Sequence, residues 1–230
     1  MLFRSTNWFN LQNTTEAPLA LLTNGIGGMA RVCVDLGTVK SKYDCLLGAN
    51  LHPSVPVDRH VLIKRLRIWC NADGFIAPLI FENLYSFGFD ERASWTFVVN
   101  AGNGRKAGIG VLMNMVPDEN SIVIRLSRKE VPVEMGADLP WNAELRLTVR
   151  FDIEDRNFHS ETKHNEGAEH HFATNSRPLR EKIGFEFTPA KDRQLRITSD
   201  LGAYHHESEW SKNLQHPLRS EEHTSELQSH

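Results

Sequence analysis

The sequence predicts an all-β protein, an antiparallel β-sandwich, and three observations predict it. Short runs of β-branched and aromatic residues alternate with polar ones at period two. Gly, Asn, Asp and Pro clusters punctuate these runs at regular spacing. No window of helical length carries apolar residues at i, i+3, i+4 and i+7. The sandwich is expected to extend from about Leu19 to Gly202, with one long polar loop inserted in it.

The longest strand signal is residues 58–71. Leu62, Lys64, Leu66 and Ile68 fall on one face, and Val61, Ile63, Arg65, Arg67 and Trp69 on the other. Charge mixed with apolar residues from Lys64 onward suits a partly covered strand. Asn71-Ala72-Asp73-Gly74 supplies a turn, and residues 75–81 form the expected return strand of a hairpin. Residues 94–100 make the next strand. Ala101-Gly102-Asn103-Gly104 turns it, and residues 107–115 come back. Pro117-Asp118-Glu119-Asn120 introduces residues 121–127, where Ile122, Ile124 and Leu126 alternate with Val123 and Arg125. In residues 144–153, Leu145, Leu147, Val149, Phe151 and Ile153 share a face opposite Arg146, Thr148 and Arg150. Residues 184–188 and 194–199 complete the set. Residues 154–182 break the pattern: they are polar and rich in histidine, and are expected to be an ordered loop.

Composition excludes several function classes. The 230 residues carry a formal net charge of −3, with 40% hydrophobic and 24% charged residues. This is a chain able to bury a sizeable core. A weakly acidic balance without a basic block gives no electrostatic reason to expect nucleic acid or an anionic membrane. No apolar run is long enough to cross a bilayer. Cys33, Cys45 and Cys70 match no zinc or redox spacing and sit among apolar residues. They read as reduced core thiols, as in a cytoplasmic protein.

The two ends read differently from the rest. Residues 219–230, Arg-Ser-Glu-Glu-His-Thr-Ser-Glu-Leu-Gln-Ser-His, resemble the conceptual translation of a sequencing adapter. Residues 1–5, Met-Leu-Phe-Arg-Ser, resemble the reverse complement of the same adapter. Both are set aside as artefacts. Residues 6–18 are then an irregular lead-in, and residues 19–218 one domain, expected to be incomplete at its C-terminal side.

Within that domain, Leu21-Leu22-Thr23-Asn24-Gly25-Ile26-Gly27-Gly28 is a turn in which Asn24 and the glycines are expected at positive φ. It is no phosphate loop, because no Gly-Lys-Ser/Thr follows. The block resembles the opening signature of the N-terminal domain of bacterial and archaeal glycogen debranching enzymes. Lys42-Tyr43-Asp44-Cys45-Leu46-Leu47-Gly48-Ala49 is similar to that family's second block, with Asp44 and Cys45 in place of its usual His and Gly. Pro56-Val57-Asp58-Arg59-His60-Val61-Leu62 is similar to its stretch before a long strand. Ala101-Gly102-Asn103-Gly104-Arg105 and Asp155-Arg156-Asn157-Phe158-His159 also resemble a branch of the family. The resemblance spans residues 19–218. It implies an N-terminal β-supersandwich packed on an (α/α)6 barrel that removes α-1,6-linked glucose stubs with two carboxylates. In the family both carboxylates lie on the barrel, so no catalytic residue is expected in this chain. The implied role is a non-catalytic domain that supports the catalytic domain of the same chain and contacts glycogen or a related α-glucan, with no cofactor.

The candidate substrate-binding or domain-interface residues are Asn24, Tyr43, Asp44, Arg156, Asn157 and His159. The run from Arg156 to His159 is the leading candidate, because loops on a rigid sandwich commonly carry binding residues. Each has a structural counterpart reading as part of an ordered loop without a ligand. His159, His164, His170 and His171 fit no metal-ligand spacing, so no metal is expected. Asp152 and Glu154, roughly 7 Å apart on one strand face, have the separation of an inverting acid and base, but read more simply as a solvated strand end. Trp69, Trp95, Trp141 and Trp210 read as core or interface residues before sugar platforms. An exposed apolar or aromatic patch is expected near residues 154–182 or 204–218. Two alternatives stay open. A free-standing carbohydrate-binding module needs an exposed aromatic strip, and a cupin-like metalloenzyme needs histidines inside a barrel.

Overall fold

The computed structural model describes residues 18–211 other than Pro53, Pro56 and Val57, together with Leu214. The adapter-like ends, most of the lead-in and the Pro56-Val57 pair therefore lie outside the described residues. The architecture is an antiparallel β-sandwich with a third, smaller sheet. The first sheet has the order β1 (Leu19–Thr23), β2 (Met29–Cys33), β3 (Cys45–Asn50), β4 (Arg59–Ala72), β10 (Leu145–Asn157), with β5 (Phe75–Pro78) also on β4. The second is a meander of β6 (Leu84–Phe89), β7 (Ala93–Asn100), β8 (Lys106–Met115) and β9 (Ile122–Lys129). The third is β11 (Ser176–Pro178), β12 (Ile183–Ala190) and β13 (Arg193–Ser199).

The core lies between the first two sheets. Leu22, Ala30, Leu66, Ile68 and Cys70 share one buried cluster with Trp95, Phe97, Ile109, Val111 and Met113. Burying side chains of this size contributes about 1.5–3 kcal/mol each. The Trp95 Nε1–H donates to the Val34 carbonyl at 2.9 Å, which satisfies the one polar atom of the largest core ring. Phe187 and Leu195 carry the third sheet into the same cluster. Cys33, Cys45 and Cys70 are free and buried.

Most strands form where the alternation puts them, and the departures have local causes. The return strand of the first hairpin stops at Pro78 rather than residue 81, and Phe81–Asn83 forms a 3-10 turn. Proline has no N–H for a ladder, so it ends the pairing. The turn between β4 and β5 has Asp73 and Gly74 at positive φ, 51° and 85°, as a tight hairpin requires. In the Asn24 turn, positive φ falls on Gly25 and Gly27, while Asn24 does not adopt it.

The long polar loop is corrected. β10 continues to Asn157, and residues 166–175 form helix α1 (Glu166–Asn175), followed by β11. The helix has no apolar stripe, which is why periodicity misses it. Its start is set by Asn165, whose side-chain oxygen accepts from the Ala168 N–H at 2.9 Å, with Glu166 and Glu169 in the first turn. Such a cap and its charges favour a helix N-terminus. Phe172 then anchors it by stacking on Phe187, with ring centroids 4.9 Å apart.

Candidate functional site

The far end of the β4–β10 ladder is irregular. Asp152 pairs with Arg65, but Ile153 pairs with Ile63 and Arg156 with Val61. Lys64 is thus the extra residue on β4, and on β10 Glu154 and Asp155 together stand opposite Leu62 alone. Bulges of this kind re-aim side chains, and here the ionisable ones they involve are Lys64, Glu154 and Asp155. Asp152 and Glu154 are not an open pair on a solvated strand end. The Asp152 carboxylate lies between Arg65 Nε at 2.5 Å and Arg67 Nη2 at 2.6 Å. Glu154 accepts from Thr162 and lies 3.6 Å from Arg156 Nε.

Asp155 is a junction of four elements. It accepts from His60 Nε2 of β4 at 2.6 Å and from Arg193 Nε and Nη2 of β13 at 2.6 and 3.1 Å. His171 Nε2 of α1 lies 3.6 Å away. Burial opposes ionisation of this carboxyl. Hydrogen bonds from His60 and Arg193 outweigh it and hold the group well below the usual carboxylate range.

Beside this junction, Tyr43 and the residues after Arg156 meet. The Tyr43 ring is 4.9 Å from that of Phe158 and 5.7 Å from that of His159. Tyr43 Oη and His159 Nδ1 are 3.4 Å apart. The Phe158 and His159 rings meet edge to face at 5.7 Å. The Lys42 ammonium stands 5.4 Å from the Tyr43 ring centre and the Arg59 guanidinium 5.8 Å from that of Phe158. Asn157 Oδ1 accepts from the His159 N–H at 3.0 Å and so shapes the turn. Asn157 and His159 are exposed, and Tyr43 and Phe158 are half-buried. The result is a small aromatic face rimmed by cations, built from loops more than a hundred residues apart.

The other candidates are not part of this face. Asn24, 2% exposed, brackets its own turn. Its Oδ1 accepts from Ile26 N and Gly28 N, and its Nδ2 donates to the Glu119 carbonyl and Asn120 Oδ1. Gly28 is required beside it, since a Cβ there would stand 2.4 Å from Asn24 Nδ2. The Asp44 carboxylate is buried, pairs with Arg31, and accepts from Lys40 N at 2.7 Å and Ser41 N at 2.9 Å. Arg156 is buried as well. It donates to the carbonyls of Lys42 and Ser160 at 2.7 and 2.8 Å, tying the two loops together. Three of the six candidates are therefore braces. Phe158, Lys42 and Arg59 belong to the face and are not among those six. Their signal was proximity in sequence: Phe158 lies inside the run from Arg156 to His159, and Lys42 precedes Tyr43.

The four described tryptophans do not form a strip. Trp95 is in the core, and Trp69 is half-buried beside Arg67. Trp141 is 61% exposed under Arg128. Trp210 packs edge-on to Phe172 at 5.4 Å. Among the described residues, no three His, Cys, Asp or Glu side chains are grouped as a metal site, and the sheets do not close into a barrel. No helix among them is long and apolar enough to cross a membrane. An open cleft of about 2050 Å³ runs along the edge strands β9 and β10, lined by Ile122, Leu126, Val149, Phe151, Tyr204 and Trp210 among others. It reaches the segments near which an exposed patch is expected, but the large hydrophobics that stand exposed among the described residues lie outside 154–182 and 204–218.

Comparison with known proteins gives one positive finding. A family model described as "Glycogen debranching enzyme N terminal" matches residues 20–228. No curated protein and no solved structure matches the chain. With that match spanning nearly the whole sequence, and with a β-sandwich as its structure, the chain belongs to the family of glycogen debranching enzyme N-terminal domains.

Proposed function

We propose that this chain is the non-catalytic β-sandwich domain of a cytoplasmic amylo-α-1,6-glucosidase. In this reading it supports a catalytic domain of the same protein, and Tyr43, Asn157, Phe158 and His159 form the face it turns toward that domain and its α-glucan. The observation that carries the reading is the convergence of Tyr43 with Phe158 and His159 in one accessible cluster. Aromatic rings offer flat apolar surface to the carbon face of a pyranose, and polar groups at the rim bond its hydroxyls. Asn157, His159, Lys42 and Arg59 stand at that rim. Family membership supplies the debranching context. The acidic residues of β10 are given no catalytic role, because Asp152 and Glu154 are each committed to arginine.

Affinity electrophoresis in gels containing glycogen tests the glucan contact. The chain is expected to be retarded, and Tyr43→Ala and Phe158→Ala each to weaken retardation about tenfold, the effect of losing roughly 1.4 kcal/mol. Absence of retardation, or retardation that both substitutions leave untouched, would remove the glucan contact from the proposal.

A further inference from the structure

Lys64 is a buried lysine of β4, 4% exposed, with no part in the aromatic face itself. As the extra residue of the bulge it reaches under the loop that carries Tyr43. Its ammonium donates to the Ser41 carbonyl at 3.0 Å and to the Lys42 carbonyl at 2.8 Å. Arg156 donates to that same Lys42 carbonyl at 2.7 Å. Two buried cations thus converge on one oxygen.

The loop is held from the other side too. Asp44 takes the N–H groups of Lys40 and Ser41. Ser41 Oγ accepts from Tyr43 N at 3.2 Å, and the Ser41 carbonyl accepts from Asp44 N at 3.1 Å. The carboxylate fixes the donors of residues 40 and 41, and the two cations fix the acceptors of residues 41 and 42. Tyr43 follows directly, so its backbone has little freedom left. Burial pushes the Lys64 ammonium down to about 8, with the neighbouring Arg156 charge adding to the effect. It is therefore mostly protonated at neutral pH, and the fold sustains an unfavourable buried charge at this position.

We propose that Lys64 is a positioning residue of the aromatic face: through the carbonyls of Ser41 and Lys42 it sets the Tyr43 ring against Phe158 and His159 for ligand contact. This rests on the glucan-facing reading of that face. Arg156 performs the matching task for residues 157–160, so the two cations align the two halves of the face on a shared carbonyl.

The test compares Lys64→Met, which keeps the stem and removes the donors, with Lys64→Arg, which restores a cation with several donors. Two readouts are taken on the full chain at pH 7: amide hydrogen exchange of residues 40–44, and retardation in glycogen gels. Lys64→Met is expected to speed exchange in residues 40–44 at least tenfold, to leave the strands of the second sheet unchanged, and to weaken glycogen binding about tenfold. Lys64→Arg is expected to recover a large part of both. A folded Lys64→Met with unchanged exchange and unchanged binding overturns the proposal. So does a folded Lys64→Arg that behaves like Lys64→Met. If Lys64→Met does not fold, Lys64→Gln, which keeps a neutral donor, is read against the same criteria. Should the unmodified chain show no glycogen retardation, the glucan reading fails by itself, and the exchange data still decide whether Lys64 holds the loop.

Discussion

Asp155→Asn tests the junction behind the candidate site. The substitution keeps the shape of the side chain and removes its charge. In the folded protein the carboxylate is 9% exposed and faces His60 and Arg193, themselves 16% and 21% exposed. Charge-assisted hydrogen bonds are worth about 1.5–3 kcal/mol each, and disrupting a buried pair costs about 3–5 kcal/mol. Arg193 retains Asp192 as a partner at 2.9 Å, which favours the lower end. The expected loss is about 3 kcal/mol at pH 7, or about 6–12 °C in melting temperature for a domain of this size. The pH dependence carries its own sign. The folded-state pKa of Asp155 is depressed, so its stabilisation is complete above the unfolded value of about 3.9 and is lost as pH falls below it. The gap between the two proteins should therefore narrow by about 1 kcal/mol between pH 5 and pH 3. Urea unfolding followed by circular dichroism at several pH values measures both quantities. A loss under about 1 kcal/mol at pH 7, or a gap that does not narrow in acid, would refute the view that this carboxylate ties β4, β10, β13 and α1 together.

Two further outcomes are expected. The three thiols should resist a thiol reagent at pH 7.5 until the protein is unfolded, because burial pushes Cys33 and Cys70 up to about 11 and raises Cys45 as well; rapid labelling of the native chain would contradict their burial. The cleft along β9 and β10 should bind a hydrophobic dye and promote self-association, since its half-buried Ile122, Val149 and Phe151 add to an apolar surface that monomers seldom expose; sedimentation as a single monomer without dye binding would count against an apolar interface there.

Strands β4, β7 and β9 were legible because covered and more open positions alternate along them, whereas β1, β2, β3 and β6 were not read as strands, β3 being buried along its whole length. The site was legible only in part. Tyr43 and the run from Arg156 to His159 are separate motifs in the sequence, and only tertiary pairing shows that they meet. The alternation of β10 holds through Phe151 and then fails, because a bulge depends on the partner strand and leaves no mark in its own sequence. For the same reason Asp152 and Glu154 read as a solvated strand end, although arginines from β4 and β10 engage them. Lys64 left a signal: its parity groups it with Leu62, Leu66 and Ile68, and a lysine on an apolar face needs a buried partner. Helix α1 left only its Asn165 cap, since Phe172 is its one large apolar residue and no stripe exists to be read.

In the proposed reading this domain supports debranching without performing it. Glucose release from a branched limit dextrin by the purified chain measures this most directly. No release above the substrate blank is expected, for the unmodified chain and for Asp152→Asn and Glu154→Gln alike. Steady release by the unmodified chain, abolished by either substitution, would contradict it and make the sandwich itself the catalyst.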